Sequence, residues 1–223
     1  MRKPTPEERR AVAQAVHAAE GGTSGEIVTI IADRSDSYHD VGLHYAIAAM
    51  LIVPLLFAAW PAGPAAVVSY IYSGWGSAEV RDLMLLTFFA MGVVFLIVRY
   101  GLAYMPLRLW LTPKATRRRR VRRRALELFK VGTEARTAGR TGILIYLSLG
   151  EHMAEIIADS AIHRVVADTE WGEAMAAMIA QVRQDRIADG MIAAVDHVGR
   201  LLAQHLPRAD DDVNELPDRL IEL

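Results

Sequence analysis

The chain has 223 residues, a formal net charge of −1 and no cysteine. That length fits one domain, or one domain with additions, and the missing thiol excludes disulfides, cysteine catalysis and cysteine metal sites. Mean hydropathy is +0.19 although 23% of the residues are charged, so the apolar residues must be concentrated somewhere. Charge is sorted as well: Arg99 to Arg140 holds thirteen basic residues against two acidic, and Thr141 to the end holds six against fifteen. A uniform globular surface would mix the signs, so this asymmetry calls for a cause.

The first part of the domain is read over residues 1–40. Thr5 can cap a helix, Pro6 fits its first turn and Glu8 completes a capping box. Ala11, Val12, Ala15, Val16 and Ala19 continue that helix at helical spacing, and "GGTSG" ends it. "EIVTIIA", Glu26 to Ala32, is rich in β-branched residues and predicts a strand buried on both faces. One helix and one strand cannot close a core, so this piece needs the other half of the chain.

Residues 41–60 and 83–106 are read as transmembrane helices, joined by an external loop over 61–82. The blocks Val41 to Trp60 and Leu83 to Met105 each have about the ~20 residues needed to cross ~30 Å of hydrocarbon. Pro54 is tolerable in such a helix. Ala65 to Tyr72 is too short to span and is expected at the interface, with a third span or a re-entrant segment as the alternatives; Trp60, Tyr70, Tyr72 and Trp75 suit the headgroup region. Only Arg81 is basic in the loop, whereas both outer flanks are basic, which places both termini in the cytoplasm. Arg99 is near enough to that side to snorkel.

Residues 107–207 are read as the second part of the domain. Seven arginines, Arg117, Arg118, Arg119, Arg120, Arg122, Arg123 and Arg124, surround Val121 on a helix whose Val121, Ala125, Leu128 and Phe129 mark one packed face. Following a span, the run reads as a topology lock and a contact for anionic headgroups; nucleic-acid binding is the disfavoured alternative. "TGILIYLSL" predicts a second buried strand, and "HMAEIIAD" a third after a turn at Gly150. Asp159 or Ser160 opens a short helix, and two amphipathic helices follow, striped by Trp171, Met175, Met178, Ile179 and Val182, then by Ile187, Met191, Val195, Val198 and Leu202. Pro207 stops the last one, and 208–223 is an acidic tail with a final apolar cluster.

The expected fold class is α/β, a small mixed sheet with helices on both faces, interrupted by a two-helix transmembrane hairpin. If both halves share one sheet, they lie on one side of the membrane and the number of spans is even. Charge and topology agree on this point by separate routes.

The segments "TSGEIVTIIA", "RTGILIYLSLGEHMAEIIAD", Trp171, "DGMIAAVDHVGRLLAQHLPR" and "NELPDRLIEL", taken in order, resemble the TPM-domain family, and within it the bacterial membrane-anchored branch. The resemblance implies a compact α/β sandwich with a small mixed sheet. It also implies three kinds of role: calcium binding, acid phosphatase activity, and assembly or repair of membrane complexes. Glu26, Glu155 and Asp159 match acidic positions of the family's general pattern and lie near predicted strand ends, so they are the candidate ligands for a divalent cation, calcium or magnesium. The turn "ARTAGRTG" ahead of the second strand is basic where metal-binding relatives are acidic.

Other candidates carry weaker chemistry. His152 is a possible acid or base on a strand edge, and Asp159 doubles as a helix cap. Asp210, Asp211 and Asp212 are expected to face the arginine helix. No phosphate loop, dinucleotide fingerprint, nucleophile elbow or zinc-protease motif is present, so whether the chain is an enzyme stays open. The expected function is a membrane-anchored adaptor, or an assembly or maintenance factor, for an unidentified membrane protein partner in the bacterial inner membrane. The alternatives are a metal-assisted phosphatase and a nucleic-acid-binding membrane protein.

Overall fold

The structure, a computed structural model, describes residues 2–71, 79–134, 141–208 and 219–223. It divides into two units, one formed by Met1–Asp36 with Lys114–Leu223 and the other by Ser37–Pro113. Tyr72, Trp75, most of the basic turn ahead of Gly142, and Asp210, Asp211 and Asp212 lie outside the described residues.

The first unit is built on a four-stranded mixed sheet in the order β3-β2-β1-β4. Strand β1 (Glu26–Ala32) runs parallel to β2 (Gly142–Ser148), in register from Glu26 opposite Gly142 to Ala32 opposite Ser148. Strand β3 (Met153–Ala158) returns antiparallel to β2. All seven residues of β1 and of β2 are buried, as their continuous apolar runs require for strands covered on both faces. The last residues, read from sequence as the end of a tail, form β4 (Leu220–Glu222), which pairs parallel with β1.

Alternation along the strands sorts the core into two layers. Ile27, Ile31, Ile143, Ile145 and Leu147 face one side, where they pack with α1 (Pro6–Glu20), α8 (Asp168–Val182) and α9 (Ile187–His205). Val28, Ile30, Leu144 and Tyr146 face the other, where they meet Val121, Ala125 and Phe129 of α6 (Lys114–Phe129). The arginine helix is therefore one wall of the sandwich.

Local chemistry places the ends of these elements. Thr5 Oγ1 accepts from Glu8 N–H at 3.2 Å while the Glu8 carboxylate accepts from Thr5 N–H at 2.6 Å. The backbone bond from Thr5 and the neighbouring Arg2 guanidinium hold the Glu8 carboxyl below the usual carboxylate range. Thr23 of "GGTSG" donates to the Leu206 carbonyl at 2.6 Å, tying the exit of α1 to the end of α9. Asp159 caps α7 (Ser160–His163), accepting from Ser160 N–H at 2.6 Å.

The second unit contains α2 (His39–Ala59), α3 (Ala62–Ile71), α4 (Val80–Gly101) and α5 (Met105–Leu111). Helices α2 and α4 pack together and are both long and apolar enough to cross a membrane. The segment read as a loop contains α3, and the second apolar block ends at Gly101 before restarting as α5. Arg108 of α5 is buried: its Nε donates to Leu102 O at 2.8 Å, and an NH donates to Ser37 O at 2.6 Å and meets His39 Nδ1 at 3.3 Å. These bonds join the end of α4 to the start of α2. Beside them, Tyr38 is fully buried in the left-handed region at φ 52°, a conformation that bulky residues seldom adopt.

Candidate functional site

The three predicted carboxylates share a face but not a place. Register puts Glu26, Gly142 and Asp159 in one row across three strands, and alternation puts Glu155 on the same face of β3, all toward α6. Glu26 and Asp159 are two strands apart, ~10 Å, and Glu155 and Asp159 four residues apart, ~13 Å, at ordinary strand spacings. A calcium or magnesium ion needs its oxygens within about 2.6 Å, so no one ion is reached by all three. Among the described residues no group of three acidic or histidine side chains gathers as a metal site. The residues do not fit the cation that the resemblance implies.

What the structure does bring together is Glu155, Asp159 and part of the arginine run. Strand β3 is an edge strand, and two hollows of about 540 and 790 Å³ run along it. One wall is α6, with Arg118, Arg122 and Leu126, and Lys130 just past its end; the other is α8, with Trp171, Met175, Ile179 and Val182. Arg122 pairs with Glu155 at 3.3 Å. Asp159 is buried at the end of β3; one carboxylate oxygen holds the cap of α7, and the other, Oδ2, has no hydrogen-bond partner among the described residues. Ser160 and His163 line the same hollow, with the His163 ring 6.2 Å from that of Trp171. His152 lines the opposite end, in the β2–β3 turn at φ 54°.

The arginine run is thus divided by the fold. Arg120 pairs with Asp36 at 3.0 Å and Arg123 reaches the same carboxylate at 3.7 Å, while Arg123 and Arg124 both lie 3.6 Å from Glu127. With Arg122, four of the seven have acidic partners in their own unit. Arg117, Arg118 and Arg119 have none among the described residues. Helical spacing revealed the packed face, but nothing in the sequence said which arginines would meet Asp36, 84 positions away in the case of Arg120.

A second polar cluster was not foreseen. Glu151 is 2% exposed and accepts from Ser35 N–H at 2.9 Å and from the Ser148 hydroxyl, while the Ser35 and Tyr146 hydroxyls share a hydrogen bond at 3.0 Å. Burial pushes the Tyr146 phenol above its ordinary pKa, the bond to Ser35 opposes this, and the Glu151 charge adds to the rise. The cluster sits where β1 and β2 end at their carboxyl termini. Its groups engage one another, which fits a clasp between the two halves of the chain.

Comparison with known proteins agrees with this architecture. Residues 108–201 match the family model of the TPM domain. A solved structure, the NMR structure of the BA42 protein from the psychrophilic bacterium Bizionia argentinensis, aligns with a TM-score of 0.58 at 18% identity, covering 100% of this chain and 97% of that one. At that identity the likeness speaks for the fold alone. No curated protein matches the sequence. The residues that carried the resemblance, the sandwich built on them and the family match converge: over residues 108–201 the chain is similar to the TPM domain.

Proposed function

We propose that the chain is a membrane-anchored adaptor, an assembly or maintenance factor whose TPM domain presents the β3 trough to a membrane protein partner. The observation that carries this reading is the trough itself, an open sheet edge between a basic wall and a methionine-bearing wall. Surfaces of that composition favour binding over chemistry.

In this reading α2 and α4 form a two-pass hairpin in the bacterial inner membrane, with both termini cytoplasmic. Their 21 and 22 residues correspond to lengths of roughly 32 and 33 Å. Only 17% and 0% of their most apolar windows are buried within the protein, whereas a soluble core helix would be mostly covered. Exposed aromatic residues flank the hairpin at both ends, Trp60 and Tyr70 at one and Tyr100, Tyr104 and Trp110 at the other, as interfacial belts do. Arg117 and Arg119 carry the proposed contact with anionic headgroups, at ~1 kcal/mol per residue near the surface. Reporter fusions at the two termini and at Ser73 test the topology, and an external C-terminus overturns it. Pull-down of the tagged full chain from native membranes tests the adaptor role: a reproducible stoichiometric partner is expected, and its absence counts against the reading.

A phosphatase is the second reading. It is favoured by the Oδ2 of buried Asp159, without a hydrogen-bond partner among the described residues and beside Ser160, His163, Arg118 and Arg122. Because the three carboxylates do not converge, no step through a metal follows from them. Phosphate release from p-nitrophenyl phosphate by the purified protein, lost on Asp159→Asn, would support this reading over the adaptor. Nucleic-acid binding through α6 would show as strongly salt-dependent affinity, and its absence rejects that alternative.

A further inference from the structure

The hydrogen-bond pattern of β3 says which of its backbone groups are spare. Asp159 N–H donates to Gly142 O at 3.0 Å, so the pair 142 and 159 is a hydrogen-bonded pair of the antiparallel ladder. Such pairs alternate along the ladder. The register then makes Ile157, Glu155 and Met153 the residues bonded to β2, and turns the N–H and C=O groups of Ala154, Ile156 and Ala158 outward. No described strand pairs with that edge. Unpaired edges recruit further strands unless they are blocked, and this one has no proline or lysine along Met153–Ala158.

The two walls add selectivity. A strand added to an edge continues the sheet, so its side chains alternate between the two faces. On one face they would meet the wall formed by α6 and the residue after it, where Arg118 and Lys130 have no acidic partner among the described residues and Arg122 holds Glu155. On the other they would meet Met175, Ile179 and Val182 of α8. The chain's own C-terminus is committed to the far edge, as β4 beside β1.

We propose that the open edge of β3 is a strand-addition site for a partner protein, taking an extended segment in which acidic and apolar side chains alternate. The acidic residues face Arg118 and Lys130, and the apolar ones face the α8 stripe. This rests on the adaptor reading and specifies how the partner is gripped.

The test uses the full chain in detergent micelles and a capped, fluorescein-labelled peptide alternating aspartate and valine over nine residues. Saturable binding is expected, with amide exchange at Ala154, Ile156 and Ala158 slowed at least about tenfold and little change at Glu155 and Ile157. Two further peptides carry N-methyl groups on every valine or on every aspartate; one of the two must bind at least about tenfold more weakly, because one set of amides pairs with β3. A lysine-for-aspartate peptide should not bind. Ala154→Pro should weaken binding without costing a bond to β2, since that N–H points outward; should this variant fail to fold, the N-methylated peptides decide alone. Absence of binding up to about 1 mM, equal binding of both N-methylated peptides, binding of the lysine peptide or unchanged amide exchange overturns the proposal. The two readings fail separately. A partner captured from membranes equally well by Ala154→Pro leaves the adaptor standing and removes strand addition. Peptide binding as predicted with no membrane partner does the reverse.

Discussion

The carboxylate of Glu151 accepts the backbone N–H of Ser35 at 2.9 Å although 116 positions and the whole apolar hairpin separate them in the chain. The bond closes the domain across its interruption. Ser35 follows β1 in the first part, and Glu151 sits in the turn between β2 and β3 in the second. Replacing Glu151 with Ala would leave the Ser35 amide and the Ser148 hydroxyl unmatched in a buried place, at about 1–3 kcal/mol for each lost partner. Glu151→Ala should therefore lower the unfolding midpoint of the full chain in micelles more than Glu151→Gln, which keeps one acceptor oxygen. Equal midpoints for both variants and the wild type would remove the clasp.

Tyr146 makes the same cluster pH-dependent. Its folded pKa is raised by burial, so the folded state holds the proton more tightly than the unfolded chain, whose phenol titrates near ~10. The sign follows from linkage: the contribution is fully present below the unfolded pKa and is lost as pH rises through the folded one. Stability measured from pH 9 to 12 should fall in the wild type, and the fall should be shallower in Tyr146→Phe. An identical slope in the two proteins would assign the alkaline loss to other groups.

Two glycines should respond oppositely to alanine. A Cβ at Gly199 would lie 2.6 Å from the Ala19 Cβ, where α9 crosses α1, so Gly199→Ala forces the helices apart at about 1–3 kcal/mol. A Cβ at Gly172 meets nothing within 4 Å, and that residue lies within α8, where alanine is better than glycine by roughly 0.5–1 kcal/mol. Thermal unfolding of the two variants should shift in opposite directions.

Arg108 should be indispensable to the base of the hairpin. It serves two backbone carbonyls from distant points, Ser37 and Leu102, and a lysine has neither the planar fork nor the number of donors to serve both in the same geometry. Arg108→Lys should lower thermal stability and Arg108→Met should lower it further, by about 1–3 kcal/mol for each carbonyl left bare. Limited proteolysis near Ser37 and Leu102 reads this out directly; unchanged cleavage in Arg108→Met would show that the carbonyls find other partners.

Much of the fold was legible along the chain because its signals are local. The Thr5 capping box, the β-branched runs of β1 and β2, the Asp159 cap and the stripes of α8 and α9 all depend on residues within a few positions of one another. The candidate site was legible only in pieces. Glu155, Asp159, Arg118 and Arg122 were each singled out, but for cation or lipid contact, and only the pairing of β3 with β2 and the packing of α6 put them along one trough. Glu26, on the same face, stays two strands from Asp159. The clasp at Glu151 and the staple at Arg108 carried no signal, because a lone glutamate in a turn and a lone arginine after an apolar helix resemble solvated residues until a distant backbone group arrives.

By itself the sequence placed α1, β1, β2, β3, α8 and α9 and the two long apolar stretches, and it showed that the first helix and strand need the other half of the chain to close a core. Periodicity, capping and hydrophobic length are properties of neighbouring residues, and neighbours are what a sequence records. Only the tertiary structure decided which arginines of α6 are neutralised by Asp36, Glu127 and Glu155, that Leu220–Glu222 is a strand, and that no described strand pairs with the outer edge of β3. A three-residue strand has too few side chains to show a period, and an edge is defined by what fails to pair with it. Both depend on long-range register, which is set when Glu26 meets Gly142 and Thr29 meets Leu220.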